Sequence, residues 1–179
     1  LAAYRAALDE QRRSLLEPSG QPQARSFALL AAEVLAGQVR PLLLAFAKDR
    51  SGEVAERFRP QPGDYARVFL PAAAEPARHA YQNLWQAAKE IPFPTGTQSE
   101  LRIAMAPAGM LASDNDLSRQ FPGGYAAIAR HLQPHRVWAA WEYVKPGEDS
   151  GLAFDGLVWC DDHWAWFPKP YRVLAELSC

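Results

Sequence analysis

The chain has 179 residues, 49% apolar and 22% charged, the size and composition of one folded domain with a real core rather than a disordered chain. A net charge of −1 offers no basic excess to nucleic acid or to an anionic membrane, and apolar runs such as Pro41 to Ala47 are too short to span a bilayer. The two cysteines, Cys160 and Cys179, form neither a disulfide framework nor a Cys-x-x-Cys pair, and no signal-peptide pattern opens the sequence at Leu1. A cytoplasmic protein without cofactor or metal is the expectation, with Cys160 a buried free thiol and Cys179 a tail residue. Lysine occurs only at 48, 89, 145 and 169 among many arginines, and alanine and proline are frequent, a bias of GC-rich bacterial genes.

In chain order, residues 1–17 predict a helix with Tyr4, Leu8, Leu15 and Leu16 on one side, stopped by Pro18-Ser19-Gly20. Ser26 suits the N-cap of a second helix carrying Phe27, Leu30, Val34 and Leu35. Gly37 predicts its break, and Pro41 to Ala47 a further short apolar helix. Asp49-Arg50-Ser51-Gly52 reads as a turn, followed by a helical turn over Glu53 to Phe58. Asp64 reads as the cap of a short helix bearing Tyr65, Val68 and Phe69. Pro76 fits the first turn of a longer helix to about Lys89, with Ala77, Tyr81, Leu84 and Trp85 as its apolar stripe.

From Ile91 the prolines impose an extended linker, and the period changes from helical to alternating. Leu101, Ile103 and Met105 alternate with Glu100, Arg102 and Ala104 as a half-buried strand. Asp114-Asn115-Asp116 is loop and lacks the glycine and final glutamate of a calcium loop; Gly123 to Leu132 reads as a short helix. Strands follow at about 136–145, 152–160 and 163–167. The reading is a single α+β domain over 1–179, helical over 1–90 and mainly antiparallel β over 99–173, with one shared core. Helices, then a strand, a helix and antiparallel strands ending in a tryptophan-rich hairpin resemble the curved-sheet cone fold shared by nuclear transport factor, cystatin-like proteins and ketosteroid isomerase. The resemblance covers about Leu101 to Val173. It is architectural and rests on no motif.

The last three strands carry the functional expectation. Pairing Lys145 with Leu152 places Glu142 opposite Asp155, Trp138 opposite Trp159, and Trp141 across Gly156. Turning the next hairpin at Asp161-Asp162 puts Cys160 opposite His163, Trp159 opposite Trp164, and Leu157 opposite Trp166. One face then holds Trp138, Trp159, Trp164 and Trp166 together with Glu142 and Asp155. The other, with Trp141, Tyr143, Phe154, Val158 and Phe167, lies on the helices. A sheet apolar on both faces needs both covered, here by a helix, a second copy of the chain, or a ligand.

Two functions fit that face. The favoured one is a binding or interaction module whose tryptophans take an apolar small molecule or a protein partner, a homodimer included. The alternative is a small-molecule enzyme for proton transfer or hydrolysis, with Glu142 and Asp155 as paired acid and base. Binding is favoured because no complete set of nucleophile, base and stabiliser is visible. Cys160-Asp161-Asp162-His163 has the letters of a metal cluster. Neighbouring strand residues point to opposite faces, so the stretch reads as turn chemistry. His131 and His135 are spaced like helical zinc ligands, but Pro134 stands between them.

Overall fold

The computed structural model describes residues 22–87 and 91–175. The helix expected over 1–17 and Cys179 lie outside the described residues. Helix α1 (Pro22–Lys48) runs 27 residues without interruption, so neither the break at Gly37 nor a separate Pro41–Ala47 helix forms. Ala32, Leu35, Val39, Leu43 and Phe46 recur at spacings of three and four and are all buried. That single stripe outweighs a glycine, about 1 kcal/mol, and a proline, about 3 kcal/mol, which both lie on the exposed side. Continuity also makes Leu30–Lys48 a 19-residue stretch of mean hydropathy 1.4, long and apolar enough by length and composition to cross a membrane. The expectation of short runs only is corrected in that respect. In the fold, the buried stripe of α1 belongs to the core formed with the sheet.

Short helices α2 (Glu53–Arg57) and α3 (Asp64–Val68) precede α4 (Pro71–Gln86). Asp64 does not cap α3 forward; its carboxylate reaches back to the Gln61 N–H at 2.7 Å. Helix α4 starts at Pro71, ahead of the expected Pro76, because Pro71 fills the first helical position, where no N–H is needed. Strand β1 (Glu100–Pro107), helix α5 (Gly124–Ile128), strands β2 (Val137–Val144), β3 (Leu152–Trp159) and β4 (Trp164–Trp166), and helix α6 (Pro170–Val173) complete the order. The sheet is open and antiparallel throughout, in the order β1-β2-β3-β4. Helices first and antiparallel sheet second is the α+β architecture predicted. In the loop after β1, Arg119 bonds both Asp114 and Asp116, at 2.9 and 3.0 Å.

Both sheet faces are covered by the chain's own helices. Leu101, Met105, Trp141, Tyr143, Phe154, Leu157, Trp164 and Trp166 pack with α1 and α2. Ala106, Trp138, Ala140, Val158, Ala165 and Phe167 pack with α3, α4 and α5 through Val68, Phe69, Tyr81 and Tyr125. Cys160 is a free, buried thiol on this second side, as expected.

The β3–β4 register is the predicted one, with Trp159 opposite Trp164 and Leu157 opposite Trp166. The β2–β3 register is not. Trp138 pairs with Val158, Ala140 with Asp155, Trp141 with Phe154, and Glu142 with Ala153. The register shifts at Ala139/Ala140, where Gly156 is the extra residue of a bulge with φ +94°. A bulge residue in that left-handed region favours glycine. One inserted residue reverses the alternation along β3, so Trp138 leaves the face of Trp159, Trp164 and Trp166.

Gly156 is also where backbone meets backbone. A Cβ there would strike the Phe167 carbonyl, while the Phe167 N–H donates to the Gly156 carbonyl at 2.7 Å. Gly156→Val should therefore cost on the order of 3 kcal/mol, from strained φ plus overpacking. The cause is this close approach and not Trp141 lying across the glycine, since Trp141 stacks on Phe154 at 5.2 Å. Urea denaturation measures it, and an unchanged midpoint would refute the bulge geometry.

Candidate functional site

The β3–β4 turn is fixed by its own residues. Asp161 takes φ +68°, a region aspartate tolerates better than most side chains. The Cys160 N–H donates to the His163 carbonyl at 2.8 Å, so these two residues face each other across the hairpin. Arg136 clamps the turn from outside, with Nη1 and Nη2 on the Asp161 carboxylate at 2.6 and 3.1 Å and Nε on the Arg67 carbonyl at 2.9 Å. That pairing holds the Asp161 carboxyl below the usual carboxylate range.

Residues opposite each other on paired strands share a face, so Cys160 and His163 project the same way. They meet Asp64 of α3. The His163 Nε2 lies 2.9 Å from Asp64 Oδ2, and its Nδ1 lies 2.7 Å from Asp162 Oδ1. Asp64, with a fully buried side chain, also accepts from Arg67 Nη1 at 3.2 Å. One oxygen of Asp64, the Cys160 Sγ and one ring nitrogen of His163 all lie within 4.8 Å of one another. Burial, reinforced by the Asp64 charge, pushes the Cys160 thiol up to about 12. Partial burial opposes charge on His163, but its bonds to Asp64 and Asp162 outweigh it and raise its pKa. A protonated thiol beside an imidazole with both nitrogens engaged is not an activated nucleophile.

On the opposite face of the same hairpin, Trp159 and Trp164 pack edge to face at 5.3 Å. With Phe58 and Leu42 they line a groove of about 410 Å³ between the hairpin, α1 and α2. Arg57, Asp162 and His163 supply polar atoms to its lining. Asp162 and His163 bind each other, whereas Arg57 makes no ion pair or side-chain hydrogen bond among the described residues.

The structure thus divides the predicted site. Trp159 and Trp164 stand together at a groove. Trp138, fully buried, packs on Phe69, Tyr125 and Phe167 on the other side of the sheet. Trp166 is core, with its indole N–H donated to the Asp155 carbonyl at 2.9 Å. Glu142 and Asp155 sit diagonally rather than opposite each other, and each has its own donor. Glu142 Oε1 accepts from the Gly151 N–H at 2.6 Å, and Asp155 Oδ1 from the Tyr125 hydroxyl at 3.0 Å. The expected facing pair of carboxylates is overturned by a two-residue offset on the loop side of the bulge, where Glu142 pairs with Ala153, and acid–base catalysis built on that pair loses its geometric basis. Asp64, His163 and Arg57 are the residues sequence reasoning missed. The Cys160–His163 pairing was already contained in the correct hairpin register; treating the four letters as one continuous strand concealed it.

Asp155 gives a pH signature. Burial raises its pKa, against the Tyr125 and Lys169 hydrogen bonds and the Lys169 and Arg172 charges. A carboxyl with a raised folded-state pKa contributes stability that is present below its unfolded value and lost as pH rises through the folded value. Asp155→Asn should therefore gain stability relative to the parent as pH rises above about 4. Denaturation midpoints of the two proteins across that range measure the trend, and a pH-independent difference would refute it.

No protein-family model, no curated protein and no solved structure matches the chain.

Proposed function

We propose that the protein is a binding module for a small amphipathic anion, with an apolar or aromatic body and a carboxylate-like end. The body lies in the groove against Trp159 and Trp164, and the charged end meets Arg57. The observation carrying this reading is the combination of a tryptophan-walled groove of about 410 Å³ with an arginine that has no ion-pair partner among the described residues. Small-molecule sites occupy roughly 300–1,000 Å³, are mainly apolar, and orient their ligands with a few polar groups. Guanidinium recognises carboxylates through a planar fork of donors.

A cytoplasmic setting accords with this reading, since Cys160 is a free thiol. A protein partner or a second copy on the tryptophan surface is the competing reading, and the same experiment separates them.

The probe is 1-anilinonaphthalene-8-sulfonate, which has an aromatic body and an anionic end. Saturable binding to the folded chain should quench tryptophan emission. Trp159→Ala should weaken it on the order of tenfold, and Arg57→Gln on the order of threefold, the latter loss shrinking at high salt. Binding indifferent to both substitutions would overturn the proposal. So would a dimer, seen by sedimentation, that buries the groove and that Trp159→Ala dissociates.

A further inference from the structure

We propose that Asp64, Cys160 and His163 form a binding site for a divalent transition-metal ion of the zinc type. Their three candidate ligand atoms come from two separate parts of the fold, α3 and the β3–β4 hairpin, and all lie within 4.8 Å of one another. Thiolate, imidazole and carboxylate together suit zinc or cobalt and do not suit magnesium or calcium, which prefer all-oxygen ligands.

The surroundings supply what such a site needs beyond its ligands. Metal-bound imidazoles generally donate their other ring N–H to a carboxylate, which fixes the tautomer and the ring plane. His163 does this geometrically, presenting Nε2 to Asp64 and Nδ1 to Asp162 at 2.7 Å. The Asp64 carboxylate is oriented by the Gln61 N–H at 2.7 Å and by Arg67 at 3.2 Å. Arg136 holds the turn that carries Cys160 and His163 in register. These contacts make the ligand positions part of the fold, so an ion would find them preorganised.

Binding replaces the Cys160 Sγ proton with one divalent ion and uses the lone pair of His163 Nε2, so any proton held there leaves to solvent as well. The carboxylates of Asp64, Asp161 and Asp162 and the guanidiniums of Arg67 and Arg136 keep their charge. A metal ion deprotonates a coordinating thiol outright, so the buried thiol of the metal-free protein is no obstacle to ligation. Three protein ligands leave one tetrahedral position for water. Asp64 and Cys160 lie on the opposite side of the hairpin from Trp159 and Trp164, whereas His163 also lines the groove; a thiolate-to-metal charge-transfer band reports on Cys160 and needs no groove ligand.

Cobalt(II) titration of the chelator-treated full chain tests the proposal. One equivalent should bind, with a thiolate-to-cobalt charge-transfer band in the near ultraviolet and the intense visible bands of tetrahedral coordination. Zinc should displace the cobalt; added instead to the metal-free protein in weak buffer, it should release at least one proton per ion and raise the melting temperature. Cys160→Ser should remove the charge-transfer band, and His163→Gln should weaken binding on the order of a hundredfold. The spectrum of the unsubstituted protein reports thiolate ligation even where a variant fails to fold. No cobalt uptake by the folded chain, or uptake without the charge-transfer band, would overturn the proposal.

Discussion

Water has to be kept off both faces of the sheet, and the rest of the fold follows from that constraint. Strands β2, β3 and β4 carry bulky apolar side chains on both sides, so a single covering layer would leave half of them wet. The chain meets this with two helical layers of different kind. One long helix, α1, lays a single stripe along one face, while the 16-residue α4 and the short α3 and α5 tile the other. Aromatic rings fill the space between layers in edge-to-face contacts, such as Phe46 on Trp141 at 5.9 Å and Phe69 on Phe167 at 5.2 Å. The edge strand β4 is closed as well, because the Trp166 N–H donates to the Phe58 carbonyl at 2.7 Å.

Much of this was legible because it rests on local patterns. Alternation at Leu101, Ile103 and Met105 identified β1 and its buried side, and the tight turn at Asp161-Asp162 fixed the β3–β4 register. The β2–β3 register was not legible. Its seven-residue loop pins neither strand, and Gly156 inserts a residue that strict alternation does not allow for. The Gly37 break was misread for the opposite reason. Local propensity argued for a break, and a long-range stripe overrode it. The meeting of Asp64 with His163, 99 residues apart, has no local signal at all.

The hairpin shows how one pairing gives two chemistries. Trp159 and Trp164 are partners, and so are Cys160 and His163 one step further along. Successive pairs point to opposite sides, so the aromatic surface and the sulfur–imidazole cluster stand back to back across one thickness of backbone. Arg136, gripping Asp161, holds both arrangements at once. A change in that turn should be felt on both sides of the sheet.

Helix α1 has a further consequence, for how the chain reaches this state. Its stripe is completed by strands far along the sequence: the Tyr143 hydroxyl that donates to the Leu43 carbonyl at 2.6 Å is 100 residues away. During synthesis α1 leaves the ribosome before the strands that cover Leu35, Val39, Leu43 and Phe46 have been made. The β2–β3–β4 meander closes through short loops and assembles quickly once translated, whereas docking α1 requires closure of a long loop. Until then the nascent chain displays a long apolar helix face to its surroundings, the kind of surface that chaperones hold and that aggregation exploits.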